Sequence, residues 1–373
     1  MHIALGAYLL SGTPGYRQAG IHRYIKSLVM ELARMDAPRY TALVSPGAVD
    51  QLPPAMPRRA ASRPTETPFA RIRVEQLETP RVLRELGADV YHGMAFVAPL
   101  NAPCKTVVTV HDLSFITRPE THKPLNRAYL TLFTRLSCRR AARVIAVSEW
   151  TKQDVARHFG VLPGKIDVIP HGVPARFVRA SPDATTRFKQ EKNIGPNSIL
   201  FLGSLEPRKN LLSLIEALPR LNLPEYQLIV IGGEGWKFSA IYERVKALGL
   251  AQNVRFEGYV ADDDLPLWLS ACDVFAYPSL YEGFGMPVLE AMACGAVVVA
   301  SDATSLPEVV GDAGLTHPPT DVDALANQLR RALADAELRA ALREKALARA
   351  AGFTWQNAAQ MTVESYQRVK NKE

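Results

Sequence analysis

The sequence predicts an α/β chain of two Rossmann-like domains, each a parallel sheet covered on both faces by helices. Three observations predict it. The chain has 373 residues, more than one hydrophobic core usually serves. Short apolar, β-branched runs alternate with helical patterns along nearly its whole length, which is the rhythm of βαβ units. That rhythm pauses near residues 175–197, where Ala180-Ser181-Pro182-Asp183 and Asn193-Ile194-Gly195-Pro196-Asn197 supply breakers and turn formers. Domains are therefore expected at 1–180 and 181–350, with a closing segment at 351–373.

Taken in order, the strands are expected at Ile3–Leu5, Tyr40–Val44, Val90–His92, Thr106–Val110 and Val144–Val147, then at Ile199–Leu202, Gln227–Ile231, Val254–Phe256, Val274–Ala276 and Val297–Ala300. Their apolar residues run on without alternation, as in parallel strands buried on both faces. A glycine-bearing loop from Gly12 to Gly20, including Gly15, leads into a helix expected over 21–35, with His22 and Arg23 at its start. Residues 49–68, with prolines at 53, 54, 57, 64 and 68 and another at 46, read as a mobile surface loop. A helix is expected over 287–294, with Pro287 opening it and Gly295 closing it. A long Ala/Arg/Leu helix is expected over 321–350, and a last one from Phe353 to Val369.

Composition removes several classes of function. With 47% apolar and 22% charged residues the chain is neither disordered nor fibrous. Its longest apolar runs, such as Val297-Val298-Val299-Ala300, are far below the ~18 residues of a membrane span. Met1-His2-Ile3-Ala4-Leu5-Gly6 reads as a first strand and not a signal peptide, so a cytoplasmic protein is expected. Cys104, Cys138, Cys272 and Cys294 form no C-x-x-C pair and are read as small core residues.

Charge is divided unevenly. Residues 1–190 hold 27 Lys+Arg against 14 Asp+Glu, and residues 191–373 hold 17 against 23, so the halves carry +13 and −6. A basic first half suits an anionic partner, whether a phosphorylated substrate or an acidic lipid surface. Nucleic acid is disfavoured, because no helix-turn-helix, RRM or zinc-finger pattern occurs. Within the basic half, Lys123 to Arg143 places Leu125, Tyr129, Leu132, Phe133 and Leu136 beside Arg127, Arg135, Arg139, Arg140 and Arg143. That pattern fits a helix lying peripherally on anionic membrane, and it equally fits core packing with a solvated basic edge.

The sharpest motif is Tyr281-Glu282-Gly283-Phe284-Gly285-Met286-Pro287-Val288-Leu289-Glu290, a strand end, a glycine-rich turn and a helix. Gly283 and Gly285 let backbone approach a ligand, and the helix N-terminus offers N–H groups to an anion. Glu282 and Glu290, read as a first-turn residue, add carboxylates suited to vicinal hydroxyls. A nucleotide diphosphate flanked by two sugars has that chemistry; a structural turn with solvated glutamates has the same pattern. A second motif, Gly203-Ser204-Leu205-Glu206-Pro207-Arg208-Lys209-Asn210, follows a strand and precedes a helix at 211–218. Cations where a helix begins oppose its dipole, so a phosphate to neutralise would explain Arg208 and Lys209. His111-Asp112 sits at the C-terminal end of a strand, the edge where open α/β sheets place ligands. The run Asp262-Asp263-Asp264 is read as helix N-capping and not as a metal site.

Together these motifs, with Ser305-Leu306-Pro307-Glu308-Val309-Val310-Gly311, Val147-Ser148-Glu149-Trp150-Thr151 and Val168-Ile169-Pro170-His171-Gly172-Val173, resemble the large retaining glycosyltransferase family 4 over nearly the whole chain. His171 departs from the asparagine common there. The resemblance implies a GT-B fold, two Rossmann-like domains facing across a cleft, with 351–373 crossing back to the first. It implies a nucleotide-sugar donor, a glycan or lipid-linked acceptor, and no cofactor or metal. Arg208 and Lys209 would hold the diphosphate and Glu290 the ribose; Glu282, Gly283, Phe284 and Gly285 would grip the sugar. Gly20, Ser148 and Gly203 would complete the donor site, and His111 would lie beside the transferred sugar. His92-Gly93, Pro99-Leu100 and His111-Asp112-Leu113-Ser114-Phe115 resemble mannosyltransferases that use GDP-mannose. UDP-sugar enzymes of the family share enough of this to stand as the alternative. A nucleotide-sugar 2-epimerase on the same fold and a catalytically dead sensing subunit are the rivals.

Overall fold

The computed structural model describes residues 1–12, 20–121, 124–223, 225–235 and 238–370; the expected roles of Gly15 and Lys123 fall outside them. The chain forms two compact units, Met1–Gly172 with Thr354–Glu373, and Val173–Phe353. Residues 173–180, placed in the first domain from the sequence, thus belong to the second unit.

The first unit is built on a sheet of seven strands, β1 (His2–Ala7), β2 (Arg39–Val44), β3 (Arg58–Ala60), β4 (Val90–Gly93), β5 (Lys105–Val110), β6 (Arg143–Ala146) and β7 (Ile166–Val168), in the order β3-β2-β1-β4-β5-β6-β7. All its pairings are parallel, for example Leu5 opposite Ala42 and His92 opposite Val107. Successive residues of β1 serve opposite cores: Ile3, Leu5 and Ala7 face one cluster, and Ala4 faces the other. The helices Ile21–Leu32 and Trp355–Lys370 cover the first face through Tyr24, Leu28, Trp355 and Tyr366. Trp355–Lys370 is tied down by Asp167, whose carboxylate accepts from Ser365 at 2.7 Å and pairs with Arg368 and Arg143.

The second unit carries β8 (Ser198–Leu202), β9 (Gln227–Ile231), β10 (Val254–Gly258), β11 (Val274–Tyr277), β12 (Val298–Ser301) and β13 (Leu315–His317), in the order β10-β9-β8-β11-β12-β13 and again parallel. Both faces are buried, with Ile199 and Phe201 in one core and Leu200 fully covered on the other side.

Several local expectations are corrected. The stretch at 49–68 takes in the end of a short 3-10 helix, Pro46–Gln51, and strand β3. Its order comes from Arg58, whose guanidinium donates to the carbonyls of Val49 at 2.6 Å and Pro53 at 2.6 Å, replacing hydrogen bonds a regular element would supply. The helix expected over 21–35 ends at Leu32, and the one expected over 321–350 is two, Val322–Ala334 and Ala336–Ala350. Asp335 separates them by leaving helical geometry and accepting from the Leu338 N–H at 2.8 Å, an N-cap. Asp264 stands at the N-cap of Leu265–Ala271, but its side chain makes no capping bond, and Asp262 pairs with Arg176 at 3.3 Å. Arg143 is buried against Asp167 and is no part of a solvated basic edge. Cys104 is half-buried, so it is not a core residue in the sense the other three cysteines are. Among the described residues no helix is long and apolar enough to cross a membrane.

Candidate functional site

In the second unit, the loops that leave the C-terminal ends of β8, β11 and β12 converge on Glu282. This is the strand edge at which open α/β sheets bind ligands. The chain leaves β8 through Gly203, makes a 3-10 turn at Pro207–Lys209, and enters the helix Leu211–Ala217 through Asn210, which is in the left-handed conformation at φ 58°. The Asn210 amide holds this turn by donating to the Pro278 carbonyl at 3.0 Å and the Pro319 carbonyl at 2.9 Å. Arg208 and Lys209 therefore sit in a separate turn and not at the first residues of the helix, so the dipole argument made from the sequence does not apply to them.

Their placement has another cause. Lys209 Nζ donates to Glu282 Oε1 at 2.7 Å and to the Tyr277 hydroxyl at 2.7 Å. Arg208 Nη1 donates to Glu282 Oε2 at 3.1 Å and to the Tyr281 carbonyl at 2.8 Å, and its Nη2 reaches Glu206 at 2.8 Å. Glu282 Oε1 also accepts from Ser279 Oγ at 2.7 Å and from the Tyr277 hydroxyl at 3.0 Å. The carboxylate is nearly buried, its side chain 10% exposed. Burial alone would raise its pKa, but Lys209 and Arg208 more than offset that and hold it at about 2, so it is anionic across the neutral range. Burial, ahead of the Glu282 charge, pushes Tyr277 well above the ordinary phenol range and keeps its proton in place.

Glu282 is fixed through its backbone as well. Its N–H donates to Thr304 Oγ1 at 2.9 Å, and its carbonyl accepts from Ser305 Oγ at 3.0 Å. Gly283, Phe284 and Gly285 follow, all buried, and the Phe284 ring meets Phe353 edge-on at 6.1 Å. Gly285 has φ 102°, a conformation that favours glycine, and a Cβ there would also press the Leu306 side chain at 2.7 Å. The helix Met286–Ala293 begins at this residue. Glu290 lies beyond its first turn and is 2% exposed, which corrects the first-turn position expected from the sequence. Gly203 lies beside Lys209, with 3.6 Å between the Lys209 side chain and the place of a Cβ.

In the first unit, His111 follows β5 and is buried. Its Nε2 bonds the Met94 carbonyl at 2.9 Å, which assigns the ring proton to Nε2 and leaves Nδ1 as an acceptor. Burial holds its pKa at about 4, so the ring is neutral at neutral pH. Tyr24 stands edge-on to it at 4.6 Å and Phe96 at 5.5 Å. Tyr24 is itself held by Thr109 at 2.9 Å, which bonds His92 Nε2 at 2.8 Å, whose Nδ1 meets the Tyr366 hydroxyl at 2.6 Å. His171 belongs to the same cluster, stacked on Trp355 with 5.6 Å between ring centres. Gly20 precedes the helix Ile21–Leu32 with φ 50° and is exposed, and among the described residues a Cβ there would meet nothing within 4 Å. Ser148 caps the helix Glu149–Phe159, its hydroxyl accepting from the Thr151 N–H at 3.0 Å.

The structure thus brings Arg208, Lys209, Glu282 and Gly203 together in one unit. Tyr277 and Ser279, which complete the Glu282 cage, were not anticipated. The available signal was their position directly after the Val274–Ala276 run, at the ligand-bearing strand edge.

The class of protein, a glycosyltransferase, is set by the family models that the chain matches. Residues 19–177 match the family model described as Glycosyltransferase Family 4, and residues 183–349 match Glycosyl transferases group 1. The chain is 33% identical over 368 residues to O-antigen chain mannosyltransferase B of Escherichia coli, covering 94% of this chain and 96% of that protein. It belongs to glycosyltransferase family 4. A GDP-mannose-dependent alpha-(1-6)-phosphatidylinositol monomannoside mannosyltransferase of Mycolicibacterium smegmatis is 33% identical over 211 residues, 53% of this chain and 55% of that protein. Among solved structures, Anabaena HepE in complex with UDP superposes with a TM-score of 0.77 at 22% identity, covering 98% of this chain and 99% of that one, and this likeness supports the GT-B fold.

Proposed function

We propose that the chain transfers mannose from GDP-mannose, with retention of anomeric configuration, to a hydroxyl of a glycan or lipid-linked acceptor. The observation that carries the mannosyl reading is the near full-length similarity to an O-antigen chain mannosyltransferase. The GDP donor is favoured because a relative is named for that dependence. In this reading Arg208 and Lys209 turn toward the leaving diphosphate, with charge-assisted contacts that strengthen as negative charge develops on it. No metal is needed where two such cations serve. Glu282, held anionic by the same cations, accepts from hydroxyls of the sugar, and Glu290 accepts from the ribose. Gly203 and the Gly283–Gly285 backbone give the donor close approach. Gly20 and Ser148 are assigned to the donor as well, and His111 is the neutral hydrogen-bonding group the reaction needs from the first unit. Its Nδ1 accepts without gaining a full charge.

The membrane-facing assignment rests on the helix Pro124–Arg140, where Leu125 is 88% and Leu132 53% exposed beside exposed Arg127 and Arg135. The reading is tested by a panel of GDP-mannose, GDP-glucose and UDP-glucose with a mannan oligosaccharide acceptor, with the product linkage assigned by NMR. Transfer from GDP-mannose to an α-linked product in the presence of EDTA is expected. Transfer only from a UDP-sugar, a β-linked product, or loss of activity on chelation would each overturn the corresponding part. Epimerisation of a nucleotide sugar without acceptor would overturn the whole.

A further inference from the structure

The first unit contains a second basic feature that the proposed reaction does not use. Where β3 ends, a cavity of about 600 Å³ opens against the helical segment that follows, and Arg59, Arg63, Arg73 and Arg81 line it together with Glu78 and Glu85. Four guanidinium groups face two carboxylates, and both carboxylates are already committed. Glu85 is shared by Arg59 at 3.3 Å and Arg81 at 3.1 Å. Glu78 accepts from the Ser62 N–H at 2.8 Å and the Ser62 hydroxyl at 2.6 Å. Arg63 and Arg73 have no ion pair or side-chain hydrogen bond among the described residues. A concave wall with an excess of positive charge focuses the field and concentrates anions. Of the apolar lining residues, Leu77 is 70% exposed.

We propose that this cavity is an anion site for a phosphate-bearing ligand, either a free diphosphate or the phosphorylated headgroup of a lipid. Three features select that chemistry. Planar guanidinium forks match phosphate oxygens two at a time. The volume lies within the ~300–1,000 Å³ usual for small-ligand sites. The exposed Leu77 in the lining offers an apolar surface beside the charged group. The site lies wholly within the first unit and does not depend on the donor reading, so either can fail without the other.

The test is arginine labelling by phenylglyoxal, read by peptide mass spectrometry on the full chain saturated with GDP. The expected result is that inorganic pyrophosphate, or vesicles containing phosphatidylglycerol, protects Arg63 and Arg73 from phenylglyoxal, while Arg34, exposed and paired with Glu31, is labelled equally with and without the probe. Protection by pyrophosphate assigns a free anion. Protection by phosphatidylglycerol vesicles and not by pyrophosphate or phosphatidylcholine vesicles assigns a lipid headgroup. In calorimetric titration of whichever probe protects, Arg63→Gln with Arg73→Gln should weaken binding by about tenfold or more, since two charge-assisted contacts are removed. Equal labelling with and without every probe, or unchanged affinity in the double variant, would overturn the proposal.

Discussion

Replacing Glu282 by glutamine should destabilise the second unit, and the structure sets the size of the effect. Glutamine keeps the volume and one acceptor oxygen, so Ser279 and Tyr277 retain a partner. Lys209, with only 12% of its side chain exposed, loses its counter-charge, whereas Arg208 keeps Glu206 at 2.8 Å. Removing one member of a buried ion pair costs roughly 3–5 kcal/mol, and the surviving contacts place this case at about 3 kcal/mol. The pKa gives an independent route: a carboxyl moved from 4.5 to about 2 is stabilised by about 3 kcal/mol. For a unit of this size, 1 kcal/mol shifts the melting temperature by ~2–4 °C, so a fall of about 6–12 °C is expected by scanning calorimetry near pH 7. The sign with pH is fixed. A carboxyl whose folded pKa lies below its unfolded value contributes fully above pH 4.5 and loses that contribution as the pH falls toward 2, so the gap between wild type and variant must narrow there. Lys209→Met in the Glu282→Gln background should recover part of the loss, because no buried cation is then left unpaired. A melting temperature within about 2 °C of wild type, or strictly additive effects of the two substitutions, would refute the reasoning.

Three further outcomes are expected. Arg208→Ala should weaken GDP binding by about tenfold in titration calorimetry, and an unchanged affinity would remove Arg208 from the phosphate site. Burial raises Glu75 to about 7, against Arg71 and the Tyr129 hydroxyl, so the first unit should lose stability as pH climbs from 4.5 to 7; Glu75→Gln should abolish that slope in thermal melts, and a slope that persists would assign it elsewhere. Leu125→Ser with Leu132→Ser should reduce co-sedimentation with phosphatidylglycerol vesicles at low salt, whereas a wild type that stays in the supernatant would exclude the membrane contact.

What the sequence revealed about the fold follows from burial. The ten anticipated strand runs include every interior strand of both sheets, because interior parallel strands are continuous apolar runs. The three that escaped, β3, β7 and β13, have three residues each and all lie at sheet edges, where one side of the ladder is unpaired and the apolar run is short. Arg58 shows a different limit. Its guanidinium organises a proline-rich stretch by bonding carbonyls of residues that precede it, and nothing in the pattern of a single arginine announces that. At the site, glycine spacing located the turn, but the depth of Glu290 depended on a helix that begins at Met286 and turns that side chain inward. Tyr277 and Ser279 became part of the Glu282 cage only once the loops after β8 and β11 lay side by side.

Arg208 and Lys209 were inferred from an unfavourable helix dipole, and the structure replaces that cause with a stronger one. The two cations are matched by two carboxylates, Glu206 and Glu282, so the cluster is close to neutral as it stands. A neutral cluster does not draw a diphosphate by net charge. It holds cations dry and oriented, which open water would not do, and desolvation strengthens any contact they later make to phosphate. Arg208 retains its bond to the Tyr281 carbonyl at 2.8 Å if Glu206 lets go, so the guanidinium can exchange a carboxylate for a phosphate without losing its direction. Glu282, caged by Tyr277, Ser279 and Lys209 and pinned at its backbone by Thr304 and Ser305, has no comparable freedom. If the proposed donor binds here, Glu206 is therefore the carboxylate placed to yield to its diphosphate, and Glu282 the one placed to stay and meet neutral hydroxyls.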